Sequence, residues 1–204
     1  MGKCRYNGNI MGKIFFILGR SATGKDQLYR ALLADASLGL RRLVLYTTRP
    51  IRAGEVEGET YHYIDNGRLE ELRRSGKVIE ERTYETIAGP WTYLTADEGL
   101  LPAENYVVIG TLESYRKIRD YYGQSRVFPI FITSTEEHLL ERSLEREKKQ
   151  EKPNYRELCR RFLADGEDYA GEKIREAGIT EAYANDGRIE DFLKAVRERV
   201  RAEL

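Results

Sequence analysis

Gly19-Arg20-Ser21-Ala22-Thr23-Gly24-Lys25-Asp26 follows directly on the apolar run Ile14-Phe15-Phe16-Ile17-Leu18. An apolar strand, a glycine-flanked turn and a lysine opening a helical stretch make a phosphate-binding loop. The glycines let the backbone wrap closely enough for several N–H groups to converge on one anion, and the helix N-terminus adds partial positive charge. Gly19, Ser21, Ala22, Thr23 and Gly24 form the candidate cradle, and Lys25 supplies the mobile cation that reaches the terminal phosphates of a nucleotide. The usual last residue of such a loop is Ser or Thr, whose hydroxyl holds magnesium; Asp26 stands there instead, with a hard carboxylate oxygen that also suits Mg2+. The implied ligands are a nucleotide polyphosphate and Mg2+.

Working outward, short apolar runs alternate with longer helical patterns. Ile14–Leu18, Leu43–Tyr46, Tyr106–Ile109, Val127–Ile132 and Glu181–Ala184 are predicted strands. Helices are expected after the phosphate loop, over Leu112–Tyr122, from Glu136 to about Lys149, from Asn154 to about Tyr169, and over Ile189–Arg201, where Ile189, Phe192, Leu193 and Val196 share a face. This rhythm implies parallel βαβ units and an α/β fold whose parallel sheet is covered on both sides. Between Thr48 and Leu100 the pattern changes to short polar pieces containing Gly and Tyr, as expected of a small lobe inserted between sheet strands.

The chain has 204 residues, 41% of them hydrophobic and 33% charged, enough for one globular domain and too polar for a membrane protein. Its 34 basic and 34 acidic residues cancel, which gives general nucleic-acid binding no compositional support. Cys4 and Cys159 lack metal-like spacing and fit a reducing cytoplasm where thiols stay free. Met11-Gly12-Lys13 reads as an alternative start, making residues 1–10 an extension with no part in the fold. His62 and His138 stand apart from any Ser, Cys or metal-ligand constellation and read as surface residues.

The inserted region opens with Thr47-Thr48-Arg49-Pro50-Ile51-Arg52-Ala53-Gly54-Glu55-Val56-Glu57-Gly58-Glu59-Thr60-Tyr61. Two arginines and nearby tyrosine hydroxyls suit a phosphate monoester, because guanidinium forks bind phosphate oxygens bidentately. In order and spacing this stretch resembles the guanylate kinase family, and the resemblance extends over nearly the whole chain from Met11. It implies a P-loop NTPase-type sheet with an inserted nucleotide monophosphate-binding lobe and a helical lid: a core of 11–47, 101–133 and 170–204, a lobe over 48–100 and a lid over 134–169. It further implies ATP-dependent phosphorylation of GMP or dGMP. Arg49, Arg52 and Tyr61 would hold the acceptor phosphate, with Glu55 supporting them.

Gly76-Lys77-Val78-Ile79-Glu80 matches the family stretch ending in the glutamate that reads guanine, whose N1–H and N2–H2 are two adjacent donors for one carboxylate. Farther on, Ala88-Gly89-Pro90-Trp91-Thr92-Tyr93 replaces the family's Tyr-Gly-Ser-like element, with Thr92 and Tyr93 near the acceptor and Trp91 equally suited to packing. The chain also departs from the family after its third sheet strand, where two aspartates are replaced by Ile109 and Thr111; Leu45 stands where a serine often touches the base. Asp26 would compensate for the missing magnesium carboxylate.

Glu136 to Gln150, Pro153 and the following helix look like a lid carrying Arg142, Arg146 and Arg161, cations that closure would bring to the transferring phosphoryl group. Asn185-Asp186 falls where the family binds the adenine of ATP, a position equally suited to an ordinary turn or cap. Two other functional classes fit the same residues: a kinase for another nucleotide or small phosphorylated acceptor, and a catalytically inactive binding module. Retention of Lys25 and its loop argues against the second.

Overall fold

The structure, a computed structural model, describes residues 5–6, 9–86 and 89–204; Cys4 and Ala88 lie outside them. In chain order the elements are β1 (Arg5–Tyr6), β2 (Asn9–Ile10), β3 (Ile14–Leu18), α1 (Lys25–Ala34), β4 (Leu40–Arg42), β5 (Tyr46–Thr47), β6 (His62–Tyr63), α2 (Asn66–Arg74), β7 (Val78–Thr86) and β8 (Gly89–Ala96). There follow β9 (Asn105–Ile109), α3 (Leu112–Tyr122), β10 (Val127–Thr133), α4 (Glu136–Lys148), α5 (Tyr155–Asp168), α6 (Gly171–Glu176), β11 (Ala182–Ala184) and α7 (Ile189–Glu203). Among the described residues, β1 and β2 pair only with each other.

The central sheet has the order β11-β10-β3-β9-β4, all neighbours parallel. Its middle strand is β3, whose five residues are all fully buried. Side chains alternate across a strand, so β3 feeds two cores. Ile14, Phe16 and Leu18 pack with Leu112, Tyr115 and Ile118 of α3 and Ile174 of α6. Phe15 and Ile17 pack with Leu28 and Leu32 of α1 and Phe192, Val196 and Val200 of α7. The expected parallel α/β sheet covered on both faces is thus the observed one. Gly110 matters to the first core: a Cβ there would lie 2.4 Å from Cζ of Phe16, so only glycine lets that ring pass beneath the end of β9.

The predicted strand Leu43–Tyr46 is divided. Leu40–Arg42 forms the sheet edge beside β9, the Leu43 N–H still reaches the Val107 carbonyl at 3.1 Å, and Tyr46–Thr47 already belongs to a second sheet. The apolar run is continuous because it serves two cores in turn: Leu43 is buried against the central sheet, Tyr46 against Leu69, Leu72 and Leu94. The region expected as short polar pieces contains this second sheet, of order β6-β5-β8-β7, together with α2. Asp65 caps α2 by accepting from the Arg68 N–H at 2.7 Å.

The helices over 112–122, 136–148, 155–168 and 189–203 follow the predicted ones closely, each of the first three starting at a side-chain cap supplied by Thr111, Thr135 or Asn154. Buried Glu147 joins α4 to α5 by accepting from the Asn154 N–H at 2.6 Å. Among the described residues no helix is long and apolar enough to cross a membrane. Because Phe16 is fully buried between the sheet and α3, Phe16→Ala is expected to lower stability by about 3–5 kcal/mol, measured by denaturant unfolding.

Candidate functional site

The phosphate loop leaves the C-terminal end of β3, the place where ligands bind in open α/β sheets. Its shape depends on residues at positive φ. Gly19 has φ 150°, and a Cβ there would meet the Ile132 carbonyl oxygen at 2.4 Å; Gly24 has φ 95°, and a Cβ would meet Asn185 Nδ2 at 2.7 Å. Ala22 adopts φ 64°, a left-handed conformation that costs a residue with a Cβ about 1–2 kcal/mol. The loop is tied from outside as well as inside. Asn185 Nδ2 donates to the Thr23 carbonyl at 2.9 Å, and the Thr23 hydroxyl donates to the Arg20 carbonyl at 2.8 Å.

Lys25 lies across the loop, its Nζ donating to the Gly19 and Arg20 carbonyls at 2.7 Å each. Burial pushes its pKa down, opposed by the carboxylates of Asp165 and Asp26. Asp26 is exposed and lines a 560 Å3 cavity with Ser21, Ala22, Gly24, Lys25, Arg142 and Arg146. Arg142 donates Nη2 to the Asn185 carbonyl at 2.8 Å, whereas Arg146 is exposed. Arg161 is drawn aside: it pairs with Glu147 at 3.6 Å and lines the seam between α5 and the loop.

Asn185 is buried and spends its amide on Thr23, so it is a strut of the loop and does not line the cavity beside Lys25. Its neighbour Asp186 joins the lid helix to this strut. Its Oδ1 accepts from the Ser134 hydroxyl at 2.5 Å, the Thr135 N–H at 2.8 Å and His138 Nδ1 at 3.1 Å. The Ser134 hydroxyl, with the Thr135 N–H and His138, holds its carboxyl down at about 2. His138, expected to stand alone, is thus paired, and His62 likewise lies 3.1 Å from Glu57.

On the second sheet, buried Arg49 forms a bidentate pair with Glu55, Nη1 to Oε2 at 3.0 Å and Nη2 to Oε1 at 2.7 Å. The Arg49 fork, together with the Arg52 N–H and the Tyr63 hydroxyl, holds the Glu55 carboxyl down at about 2. The Arg49 guanidinium lies 5.6 Å from the centre of the Tyr61 ring, and that of Arg52 lies 5.7 Å from the Trp91 ring. Tyr61 meets Tyr93 edge to face at 5.6 Å. Thr92 is buried: its hydroxyl bonds that of Thr83 at 2.8 Å, and its N–H and carbonyl bond Thr48, which makes it part of the sheet's framework.

A 480 Å3 cavity joins the two halves, with Gly19, Ser21 and Lys25 on one side, Tyr61, Tyr93 and Trp91 on the other, and Thr111 at the end of β9. Glu80 is absent from its lining. The side chain has no exposure, and its Oε1 accepts from the Thr95 hydroxyl at 2.8 Å while Oε2 accepts from Arg82 Nε at 3.2 Å. The residue that does line the cavity is Arg82, two positions along the same strand face and unremarked in the sequence, although strand alternation places it beside Glu80. Asp165 was also missed. It reaches the Ser21 N–H from α5, and Arg20 pairs with Glu136 of α4, contacts between residues far apart in sequence that leave no local signal.

The fold and the loop together define a phosphate-loop α/β protein with a second sheet and a helix pair around one cleft. The family described as Guanylate kinase matches residues 11–98. The chain is 40% identical over 100 residues to a guanylate kinase of Neisseria gonorrhoeae, covering 48% of this chain and 46% of that one. It is 25% identical over 192 residues to a guanylate kinase of Methylobacillus flagellatus, covering 94% and 90%. The chain spans about half the length of curated relatives such as those of Neisseria gonorrhoeae and Chromohalobacter salexigens, 46% and 53%. The fold is shared with a guanylate kinase of Anaplasma phagocytophilum, at a TM-score of 0.58 and 22% identity over 95% of this chain and 86% of that one. Over residues 11–98 the chain is thus similar to the guanylate kinase family, and the Methylobacillus flagellatus relative carries that similarity, at 25% identity, over most of its length.

Asp186 ties α4 to the Asn185 strut with a carboxyl held at about 2, below the roughly 3.9 of an unfolded aspartate. Its contribution is present above the unfolded value and lost as pH falls toward 2. Asp186→Asn is therefore expected to be less stable than the parent at neutral pH, with the difference disappearing between about pH 4 and pH 2, measured by thermal unfolding across that range.

Proposed function

We propose that the protein transfers the γ-phosphoryl group of ATP to GMP or dGMP, giving ADP and the nucleoside diphosphate. The observation that carries this reading is the shared 480 Å3 cavity, in which the phosphate-loop residues Gly19, Ser21 and Lys25 face Tyr61, Tyr93 and Thr111. A cleft with a polyphosphate cradle on one wall and an acceptor wall opposite is what in-line transfer between two nucleotides requires.

In this reading the loop amides and Lys25 hold the ATP phosphates. Tyr61 and Tyr93 line the acceptor side, with Arg52 nearby as the cation for the acceptor phosphate, and Arg49 would join them only by leaving Glu55. Arg142 and Arg146 lie across the loop from Lys25 and offer positive charge to the phosphoryl oxygens as charge spreads over them. Arg161 would join them only by leaving Glu147. The acceptor phosphate is ionised near neutral pH, so positioning and charge stabilisation carry the reaction without a general base.

Mg2+ fits the site through Asp26, an exposed carboxylate beside Lys25. A single protein ligand is enough for an ion that keeps waters and phosphate oxygens in its shell, and no cluster of three His, Cys, Asp or Glu side chains occurs among the described residues. Bound there, it would neutralise charge on the β- and γ-phosphates. A cytoplasmic setting, expected from the cysteine usage, goes with this reading.

The test is ADP release with Mg-ATP and GMP, dGMP, AMP, CMP, UMP or no acceptor. Turnover with guanine nucleotides is the expected outcome, and ATP binding without turnover on any of them overturns it. Lys25→Ala is expected to lower kcat by about 10²–10³-fold, the scale for removing one preorganised charge-stabilising donor. Asp26→Ala should raise the Mg2+ concentration needed for half-maximal rate; an unchanged Mg2+ dependence would remove Asp26 from the metal site.

A further inference from the structure

Along one face of β7 stand Glu80, Arg82 and Tyr84, opposite Thr95, Tyr93 and Trp91 of β8. They run from closed to open: the Glu80 side chain has no exposure, that of Arg82 is 18% exposed, and Tyr84 is 50% exposed. Arg82 and Tyr84 line the cavity that also holds Lys25 and Tyr61, whereas Glu80 does not.

Reading the N1–H and N2–H2 donors of guanine side by side takes both oxygens of a carboxylate. Both oxygens of Glu80 are already used, one by the Thr95 hydroxyl at 2.8 Å and the other by Arg82 Nε at 3.2 Å. Arg82 is pinned on its other side as well, Nη1 donating to the Thr111 hydroxyl at 3.1 Å, and Thr111 is itself fixed as the cap of α3. Thr111 stands where the family carries an aspartate, so this contact of the guanidinium is to a neutral partner, and the acid near it besides Glu80 is the exposed Glu113 at the start of α3.

Nη2 of Arg82 has no hydrogen-bond partner among the described residues, and Arg82 lines the same cavity as Lys25, Tyr61 and Tyr93. With Nε given to Glu80 and one Nη1 hydrogen to Thr111, one N–H of Nη1 and both of Nη2 remain, enough for two parallel donors along the Nη1–Nη2 edge. The matching purine edge is O6 with N7, two acceptors side by side, and adenine presents an amino donor in place of O6.

We infer that Arg82 is the specificity-determining residue of the acceptor pocket, reading the O6/N7 edge of a 6-oxopurine nucleotide, with Glu80 as the positioning residue that holds its guanidinium. This rests on the reading of the chain as a purine nucleotide kinase. Selectivity then falls on the 6-oxo group and not on the 2-amino group, so a nucleotide lacking the 2-amino group is accepted and one carrying a 6-amino group is refused.

The experiment compares kcat and KM for GMP, IMP and AMP, at saturating Mg-ATP, in the parent protein, Arg82→Ala and Glu80→Gln, with ATP affinity and thermal unfolding measured alongside. The parent should use IMP about as well as GMP and AMP poorly. Arg82→Ala should raise KM for GMP and IMP together by about 5- to 150-fold, the range for losing a bidentate arginine–purine pair, with ATP affinity unchanged. Glu80→Gln should move the two KM values in the same direction and by the same factor. A preference for GMP over IMP on the order of 10²-fold or more in the parent, erased by Glu80→Gln, returns base reading to Glu80 and overturns the inference. Unchanged KM values in Arg82→Ala with GMP still turned over overturn it alone. Binding of ATP with turnover of neither GMP nor IMP overturns the acceptor reading and this inference with it; the parent comparison decides even if a variant fails to fold.

Discussion

The turn between β3 and α1 is the constraint on which the rest of the structure depends. Its amides can converge only if Gly19 passes under the Ile132 carbonyl and Gly24 passes beside Asn185, approaches of 2.4 and 2.7 Å that any Cβ would block. The strain accepted at Ala22 is held by what surrounds it: a fully buried β3 before the loop, α1 after it, and the Asn185 amide on the Thr23 carbonyl. Strain of this kind persists at a functional site when neighbouring structure over-determines the backbone. The loop is thus a product of the central sheet, since Ile132 and Asn185 come from β10 and from the end of β11.

Around it, acidic residues organise cations more than they cancel them. Glu55 locks the Arg49 fork beneath Tyr61, Glu80 fixes Arg82, Asp186 and Asn185 tie α4 to the loop, and Glu147 turns Arg161 away from it. Such pairs contribute little net stability where exposed. Their effect is to restrict side chains that carry several rotatable bonds, so that a guanidinium meets its ligand without first losing that freedom. A neutral balance of 34 basic and 34 acidic residues therefore coexists with a cleft that displays Lys25, Arg82, Arg142 and Arg146.

Much of the fold was legible in the chain. The buried strand β3, a sheet covered on both faces and the four long helices all rest on local hydrophobic periodicity. The division of Leu43–Tyr46 between two sheets was not legible, because a continuous apolar run says that residues are buried and not against what. In the candidate site, the loop and the Arg49–Tyr61 stretch could be read because their residues are neighbours in sequence. Thr92 and Asn185, read as ligand-facing candidates, also hold the framework together, Thr92 through Thr83 and Thr48 and the Asn185 Nδ2 through the Thr23 carbonyl.

The sequence by itself determined that a phosphate loop follows a buried strand in a parallel α/β sheet, since glycine positions, an apolar run and a lysine are properties of contiguous residues. Only the tertiary structure decided which charged groups face the cleft. Glu80 and Arg82 are equally polar in the sequence, and it is the Thr95 hydroxyl on one side and Thr111 on the other that bury the acid and leave the base facing the cavity. The physical reason is that a buried carboxylate must be paired and hydrogen-bonded, and those partners come from strands and helix ends brought together by folding.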